Sequence, residues 1–348
     1  MPAAPIDVSG LAGHAVTRAV QHWCAAPYAP AGAPLVVACS GGADSLALAG
    51  AALAARPDRA LSAAVVDHAL QPGSADVADQ VSDRLSRMGF GRVDVLTVDA
   101  SGPGGVEAAA RAARYAALRA LARSIDPHAA VLLAHTADDQ AESVLLGLAR
   151  GSGPRSIAGM CPWRNPWGRP FLGIRRAETE NACAAIGLDP WRDPHNENPA
   201  FTRVRLRREV LPLMDDVLGG GVISALVRTA ELMRDDLAAL DEIAGRALSE
   251  NCGSDGDLDC PGLAGWPSAV RRRALRTWAA QQQGITTLTF RNLVSLENIV
   301  IRGRTGQSVR LPGAIDAVRR RAVLALRPAT PDAHPDQAGW QAVRHEHR

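Results

Sequence analysis

The chain has no lysine: all 38 of its basic residues are arginine. Walker-type phosphate binding needs Gly-Lys-Ser/Thr, and Schiff-base catalysis needs a protein lysine. Composition excludes both. The cysteines (Cys24, Cys39, Cys161, Cys183, Cys252 and Cys260) include no CxxC pair, so their spacing suggests neither a zinc ribbon nor an iron–sulfur site. They read as reduced cytosolic thiols, and the expected location is cytoplasmic. No apolar run approaches the ~20 residues that span a bilayer. No basic segment precedes an apolar one at the N-terminus, where the first basic residue is Arg18, so no signal peptide is expected. Net charge is only +2, so any RNA contact would fall to local arginine patches.

What is present points to an α/β nucleotide binder. Residues 40–45 read Ser-Gly-Gly-Ala-Asp-Ser. They follow an apolar run, Leu35–Cys39, and precede an alanine- and leucine-rich stretch. Strand, glycine turn and helix N-terminus in that order is where α/β proteins hold phosphate. Gly41 and Gly42 let backbone amides close on an anion, Ser40 and Ser45 can donate hydroxyl hydrogen bonds, and Ala43 and Asp44 complete the loop. An acidic Asp44 beside a phosphate suggests a cation or a polar partner.

Strand-like runs (35–39, 63–67, 92–98, 130–134) alternate with helical ones (45–55, 75–88, 105–123, 138–149). That alternation predicts a parallel sheet with helices on both faces. Ser40, Asp67, His68 and His135 fall at strand ends and should converge on one crevice. Residues 151–170 read as a loop. A helix is expected over 177–186, then a polar turn at 191–196, then a long helix from 221 to 248. The remainder, to about 326, reads as a small α+β unit, and the Pro- and His-rich end as disordered. The expected domains are 1–218, a nucleotide-binding α/β domain; 219–327, a helical linker and a small α+β domain; and 328–348, a tail.

Three further segments carry chemistry. In Ala134–Ser143, Asp139 and Glu142 are three apart and share a helix face. Two carboxylates beside a triphosphate could hold Mg²⁺; capping of the helix N-terminus is the plainer alternative, accepted for Asp138. His135 could donate to a phosphate oxygen. Arg111 and Arg114 are also three apart and could face a triphosphate or simply solvent. Arg203, Arg205, Arg207 and Arg208 form a dense positive run; as a helix, Arg203 and Arg207 would align. Further basic zones lie at Arg271, Arg272, Arg273 and Arg276, and at Arg302, Arg304, Arg310, Arg319, Arg320 and Arg321. Their clustering favours tRNA contact.

From Leu35 to about Pro212 the chain resembles the tRNA(Ile)-lysidine synthases, members of the PP-loop ATP pyrophosphatase superfamily. The carriers, in order, are SGGADS at Ser40, VDHALQPGSAD from Val66, EAAARAARY from Glu107, AHTADDQAES from Ala134, RGSGPRSIAGM from Arg150, RPFLGIRRAE from Arg169 and WRDPHNENPAFTRVRLRREVLP from Trp191. Gln71, Ser156, His195 and Val204 depart from the usual pattern. The resemblance implies an adenine nucleotide α-hydrolase-like fold and a two-step ligase. ATP adenylates C2–O of the wobble cytidine in a CAU-anticodon tRNA(Ile); free L-lysine then attacks C2 and expels AMP.

On that implication, residues 40–45 cradle the pyrophosphate, and Asp67 and His68 meet the nucleotide or the flipped cytidine. Asp44, Asp139 and Glu142 hold Mg²⁺ or orient lysine's ammonium. His135, Arg111 or Arg114, and Arg205 stabilise charge on the transferring phosphate. A C-terminal domain found in longer members is not expected, nor is a membrane or protein partner. The nearest rivals are a PP-loop tRNA thiolase, which the cysteine spacing disfavours, and a small-molecule amide synthase. A non-catalytic tRNA-binding protein is a third.

Overall fold

The structure, a computed structural model, describes residues 4–55, 58–69, 73–99, 105–151, 153–191 and 198–329, with the side chains of 106 and 107 excepted. The expected turn at 191–196 apart from Trp191, the departures Gln71 and His195, and all but the first two residues of the expected tail lie outside the described residues. The chain divides into two compact units, Met1–Arg234 and Asp235–Arg348. The division falls inside one long helix, α10 (Val222–Asn251), whereas the sequence reading drew its boundary ahead of that helix.

In the first unit the elements run α1 (Ala15–Ala25), β1 (Leu35–Cys39), α2 (Ala43–Ala55), β2 (Leu61–Asp67), α3 (Ser74–Met88), β3 (Val93–Thr97), α4 (Val106–Ile125), β4 (Ala130–Leu132), α5 (Ala137–Ala149), α6 (Pro154–Ile157), β5 (Trp163–Arg164), β6 (Trp167–Gly168) and α7 (Arg176–Ala185). The sheet order is β3-β2-β1-β4-β6-β5, parallel except for β5. β1 is buried along its whole length, as a strand covered on both faces must be. α2 is buried from Ser45 to Ala52, and its run of Ala, Leu and Gly lets α1 and α7 approach closely.

The chain order reverses beside β1: β2 and β3 lie to one side and β4 to the other. The carboxyl ends of β1 and β4 therefore flank a topological switch point, where open α/β sheets bind ligands. The segment 151–170, expected as a loop, instead supplies β6 to the parallel sheet. Gly168 makes this possible: a Cβ there would lie 2.4 Å from the Trp23 ring and 2.8 Å from Leu132. Buried Gln140 fixes the same segment by exchanging two hydrogen bonds with the Met160 backbone, at 2.7 and 3.0 Å. After α7, residues 202–217 form α8 (Thr202–Arg205), a π-helical turn (Leu206–Val210) and α9 (Leu211–Val217). The arginine run is therefore helical, the arrangement in which Arg203 and Arg207 align. Val204, one of the departures from the family pattern, is buried there.

The second unit contains β7 (Leu258–Asp259), α11 (Cys260–Ala264), α12 (Ser268–Gln283), α13 (Phe290–Arg302), β8 (Ser308–Leu311), β9 (Ile315–Arg320) and β10 (Val323–Pro328). Its antiparallel sheet has the order β7-β10-β9-β8. Trp278, Leu258, Leu263, Leu275, Leu296 and Leu324 form its core. The basic zone Arg271–Arg273 is wired inward. Arg271 and Arg272 both bond the buried Glu297 carboxylate, at 2.9 and 2.6 Å, and Arg273 lies 3.6 Å from Asp241. Arg271 also donates to the carbonyls of Ala264 and Trp266. Among the described residues no single helix is long and apolar enough to cross a membrane.

Candidate active site

The phosphate loop leaves β1 at Cys39 and enters α2 at Ala43. Ser45 holds it from within. Its hydroxyl donates to Gly42 O at 2.9 Å and accepts from Ser40 N at 3.1 Å. Gly41 has φ +83°, and a Cβ would meet Val81 at 2.6 Å, so turn and packing both require glycine. Gly42 differs: a Cβ there has only ordinary contacts, the nearest at 3.8 Å. Its bareness leaves open the space above the α2 amides, the approach an anion would take.

Around this loop the charges separate into two groups. The first is carboxylate and arginine in balance. Asp44 accepts from Thr179 Oγ1 at 2.5 Å and from Arg176 at 3.2 Å. Arg176 also reaches Asp139 at 3.2 Å, and Arg207 reaches Asp139 at 3.5 Å and Glu142 at 2.7 Å. Arg203 adds a bond to Glu142 at 3.4 Å. Asp139 completes a capping box with Thr136, whose N–H it accepts at 2.8 Å. Asp138, expected only to favour the helix dipole, accepts from the Arg176 N–H and from Arg175 and so ties α7 to α5.

Environment divides these carboxylates. Burial pushes Asp44 and Glu142 up, partly offset by Arg176 and Arg207 respectively. Burial acts the same way on Asp139, but Arg176, the Thr136 N–H, His135 and Arg207 outweigh it and hold Asp139 below its usual value.

The second group is cationic. Burial lowers Arg114, whose favourable neighbours are only Tyr115 and Cys39, and no carboxylate partners it among the described residues. Arg111 stacks 5.0 Å over the Tyr115 ring, which meets Trp167 edge-on at 4.6 Å. Arg169 also bonds Tyr115 and is lowered by burial. His68 and His135 lie within the field of Arg114, and both bury an Nδ1 that has no hydrogen-bond partner. Burial, aided by Arg169, Arg114 and Arg111 and opposed by Asp139, pushes His135 down to about 3. The imidazole is therefore neutral at physiological pH. A desolvated guanidinium without a counter-ion is unfavourable. Its persistence beside a glycine anion loop marks a site built for phosphate.

The structure thus brings together Ser40, Gly41, Gly42, Ala43, Asp44 and Ser45 with Asp139 and Glu142, and Asp67 with His68, Arg114, Arg111 and His135. It does not bring in Arg205, which pairs with Glu209 at 2.8 Å and is 61% exposed. In a helix, residues 203 and 207 share the face toward Glu142, while 205 points away. Arg207 and Arg203, its neighbours in the run, face the carboxylates instead. The structure also adds Arg169, Arg176, Thr179 and Tyr115. The first two sit in the quoted RPFLGIRRAE segment, which was the available signal.

In this arrangement the three carboxylates are paired with arginines and are not grouped around a cation. Each oxygen of Asp44, Asp139 and Glu142 already accepts from a side-chain or backbone donor. Among the described residues no cluster of three His, Cys, Asp or Glu is disposed to hold a metal. Thiolate chemistry is equally unsupported near the loop: burial raises Cys39 and pushes Cys183 up to about 12.

Residues 15–214 match the PP-loop domain family, and residues 258–324 match the TilS substrate binding domain. The chain is 53% identical over 312 residues to the tRNA(Ile)-lysidine synthase of Rhodococcus opacus (strain B4), covering 88% of this chain and 92% of that one. It is 50% identical over 303 residues to that of Mycobacterium tuberculosis (strain ATCC 25618 / H37Rv), covering 84% and 90%. A solved structure, the U34-tRNA thiolase NcsA from Methanococcus maripaludis with its [4Fe-4S] cluster, superposes with a TM-score of 0.52 at 16% identity, covering 63% of this chain and 78% of that one. That likeness concerns the fold alone. Loop, carboxylate trio and both domain matches lead to one conclusion: this chain belongs to the tRNA(Ile)-lysidine synthase family.

Proposed function

We propose that the chain ligates L-lysine to C2 of the wobble cytidine of CAU-anticodon tRNA(Ile), with ATP converted to AMP and pyrophosphate. Family membership supports the reaction, and the unpartnered Arg114 beside an open glycine loop is the observation that carries the ATP site. ATP enters as its magnesium complex, so the ion arrives with substrate. The reading assigns catalysis to the first unit, tRNA binding to the second, and the protein to the cytoplasm, where its three substrates occur.

In the first step the cytidine O2 attacks the α-phosphorus, and the bond to the β-phosphate oxygen breaks. Amides of Gly41, Gly42 and Ala43, with Ser40 and Ser45, hold the departing pyrophosphate. Arg114 and Arg111 neutralise charge on the equatorial oxygens, and neutral His135 donates one hydrogen bond to them. Asp67 and His68 border the extruded base.

In the second step lysine's ε-nitrogen attacks C2, and the C2–O bond breaks with loss of AMP. The nitrogen must first shed a proton. Glu142, whose affinity for a proton burial raises, accepts it, while Asp139, held ionised, orients the ammonium. For this the ammonium takes over from Arg207 and Arg176 as the counter-ion of the pair.

The test incubates the protein with ATP, Mg²⁺, radiolabelled lysine and a CAU-anticodon tRNA(Ile) transcript, with the matching methionine tRNA as control. Label on the isoleucine tRNA alone is expected. Lysine-independent release of AMP without labelled tRNA would overturn the choice of nucleophile and turn attention to sulfur transfer.

A further inference from the structure

Two elements outside the site brace the phosphate loop. One is the segment 188–191, which follows α7. Trp191, the first residue of the quoted WRDPH segment, donates its backbone N–H to Gly41 O at 3.0 Å. The other is α3. Its half-buried Arg84 donates to Asp189 O at 2.7 Å. One turn before it, Val81 packs so tightly on Gly41 that a Cβ there would lie 2.6 Å from its side chain. Pro190 joins the two bonded residues and fixes its own φ. Arg84 therefore holds Asp189, Pro190 stiffens the join, and Trp191 holds the loop.

The bond to Gly41 O decides where an amide points. The Gly41–Gly42 peptide is trans, since the one cis bond among the described residues is Asn165–Pro166. In a planar trans peptide the C=O and the N–H point in opposite directions. Fixing Gly41 O on Trp191 therefore turns the Gly42 N–H away from residue 191. That N–H bonds no backbone carbonyl among the described residues. It precedes α2, whose first amides also lack intrahelical acceptors, and so joins them as a donor to an anion. Glycine stands on both sides of this peptide, and neither residue has a Cβ to oppose its rotation. A flipped peptide would set a carbonyl oxygen where the anion expects a donor. The loop thus carries a peptide free to invert and a bond that stops it.

We propose that Arg84 is a positioning residue for ATP: through Asp189 and Trp191 it locks the Gly41–Gly42 peptide with its N–H toward the phosphate site. The proposal rests on this loop holding the pyrophosphate moiety, as read above. Both orientations of a Gly-Gly peptide are open to the free protein, so the lock acts on ligand affinity and hardly on the fold.

The test measures Kd for Mg·ATP by calorimetry with the full chain and with Arg84→Met, Arg84→Lys, Trp191→Pro and Trp191→Ala, and follows melting with and without Mg·ATP. Arg84→Met should raise Kd on the order of 10-fold, as for one lost hydrogen bond to a charged group. Arg84→Lys keeps a donor and should recover most of that loss. Trp191→Pro has no N–H to give and should lose more than Trp191→Ala, which keeps it. The charge of Arg84 is intact in Trp191→Pro, so that variant separates the hydrogen-bonded chain from the field of the guanidinium. Ligand-free melting of Arg84→Met should stay near wild type while the rise in Tm on adding Mg·ATP shrinks. In lysine incorporation KM for ATP should rise and KM for lysine should not, because the carboxylates proposed to hold lysine are untouched. Lower ligand-free melting with an unchanged Kd would make Arg84 structural and overturn the proposal, as would equal losses from Trp191→Ala and Trp191→Pro. If Trp191→Pro fails to fold, the Arg84 pair decides: wild-type affinity in Arg84→Met overturns the lock. If the unaltered chain binds no Mg·ATP, the reading of the loop falls and the proposal with it. If it binds and Arg84→Met binds equally, the proposal alone falls.

Discussion

The two halves of the catalytic cleft treat buried charge in opposite ways. On one side, Asp44, Asp139 and Glu142 interlock with Arg176, Arg203 and Arg207. On the other, Arg114 is part-buried, and no carboxylate partners it among the described residues. The balanced half stabilises the empty protein and is preset in geometry. The cationic half does the reverse: it is unfavourable until a phosphate arrives. Function is therefore more visible in the half that makes less structural sense. The second unit repeats the balanced arrangement, with Arg271–Arg273 tied to Glu297 and Asp241.

The sharpest way to break the comparison is at Asp139. Asp139→Asn removes the carboxylate proposed above to orient lysine, and lysidine formation should fall by about 10²–10³ while Kd for tRNA changes little. Wild-type turnover would dismiss the assignment. In stability, Arg207→Met should be the most harmful change in the cleft. It leaves Glu142, which is wholly buried, with Arg203 alone, and should lower unfolding free energy on the order of 3 kcal/mol in urea melts. Arg271→Ala should cost a similar amount in the second unit, about 3 kcal/mol, and leave the salt dependence of tRNA binding unaltered.

A smaller effect concerns pH. His135 titrates near 6.5 when unfolded and about 3 when folded. The unfolded chain therefore binds the extra proton between those values. The stability that neutral His135 retains is complete above pH 6.5 and is lost as pH falls toward 3. His135→Gln should flatten stability against pH in that window relative to wild type; identical profiles would contradict the assigned burial. Raised Glu142 and Asp44 act in the opposite sense in both proteins, and the difference between the profiles reports His135 together with Asp139, the lowered carboxylate coupled to it. Least affected should be Arg205→Ala. Its surface pair with Glu209 is solvent-screened, and both melting temperature and lysine incorporation should stay near wild type.

The sequence made the catalytic sheet readable because buried parallel strands are continuous apolar runs with turns between them. Leu35–Cys39 was legible to the residue. β6 was not: two residues, Trp167 and Gly168, carry no periodicity, and only the fit of Trp23 against a bare glycine explains their pairing. The phosphate loop was legible because glycine, serine and a helix start serve one purpose there. The arginines were less so. Arg203, Arg205 and Arg207 are identical in type, and only helical phase separates the two that reach Glu142 from the one that faces water. Nor does composition tell an arginine bound to Glu297 from one exposed at a hairpin tip, such as Arg321. Partners distant in sequence decide both cases.

The most direct test of the account sets wild type beside Arg114→Met and follows thermal melting with and without Mg·ATP, together with lysine incorporation. If Arg114 is a cation waiting for phosphate, the variant melts no lower than wild type. It also loses most of the rise in Tm on adding ATP and incorporates lysine about 10²–10³ times more slowly. A variant that melts markedly lower, yet still gains stability from ATP and modifies tRNA at the wild-type rate, would make Arg114 a structural residue and contradict the account.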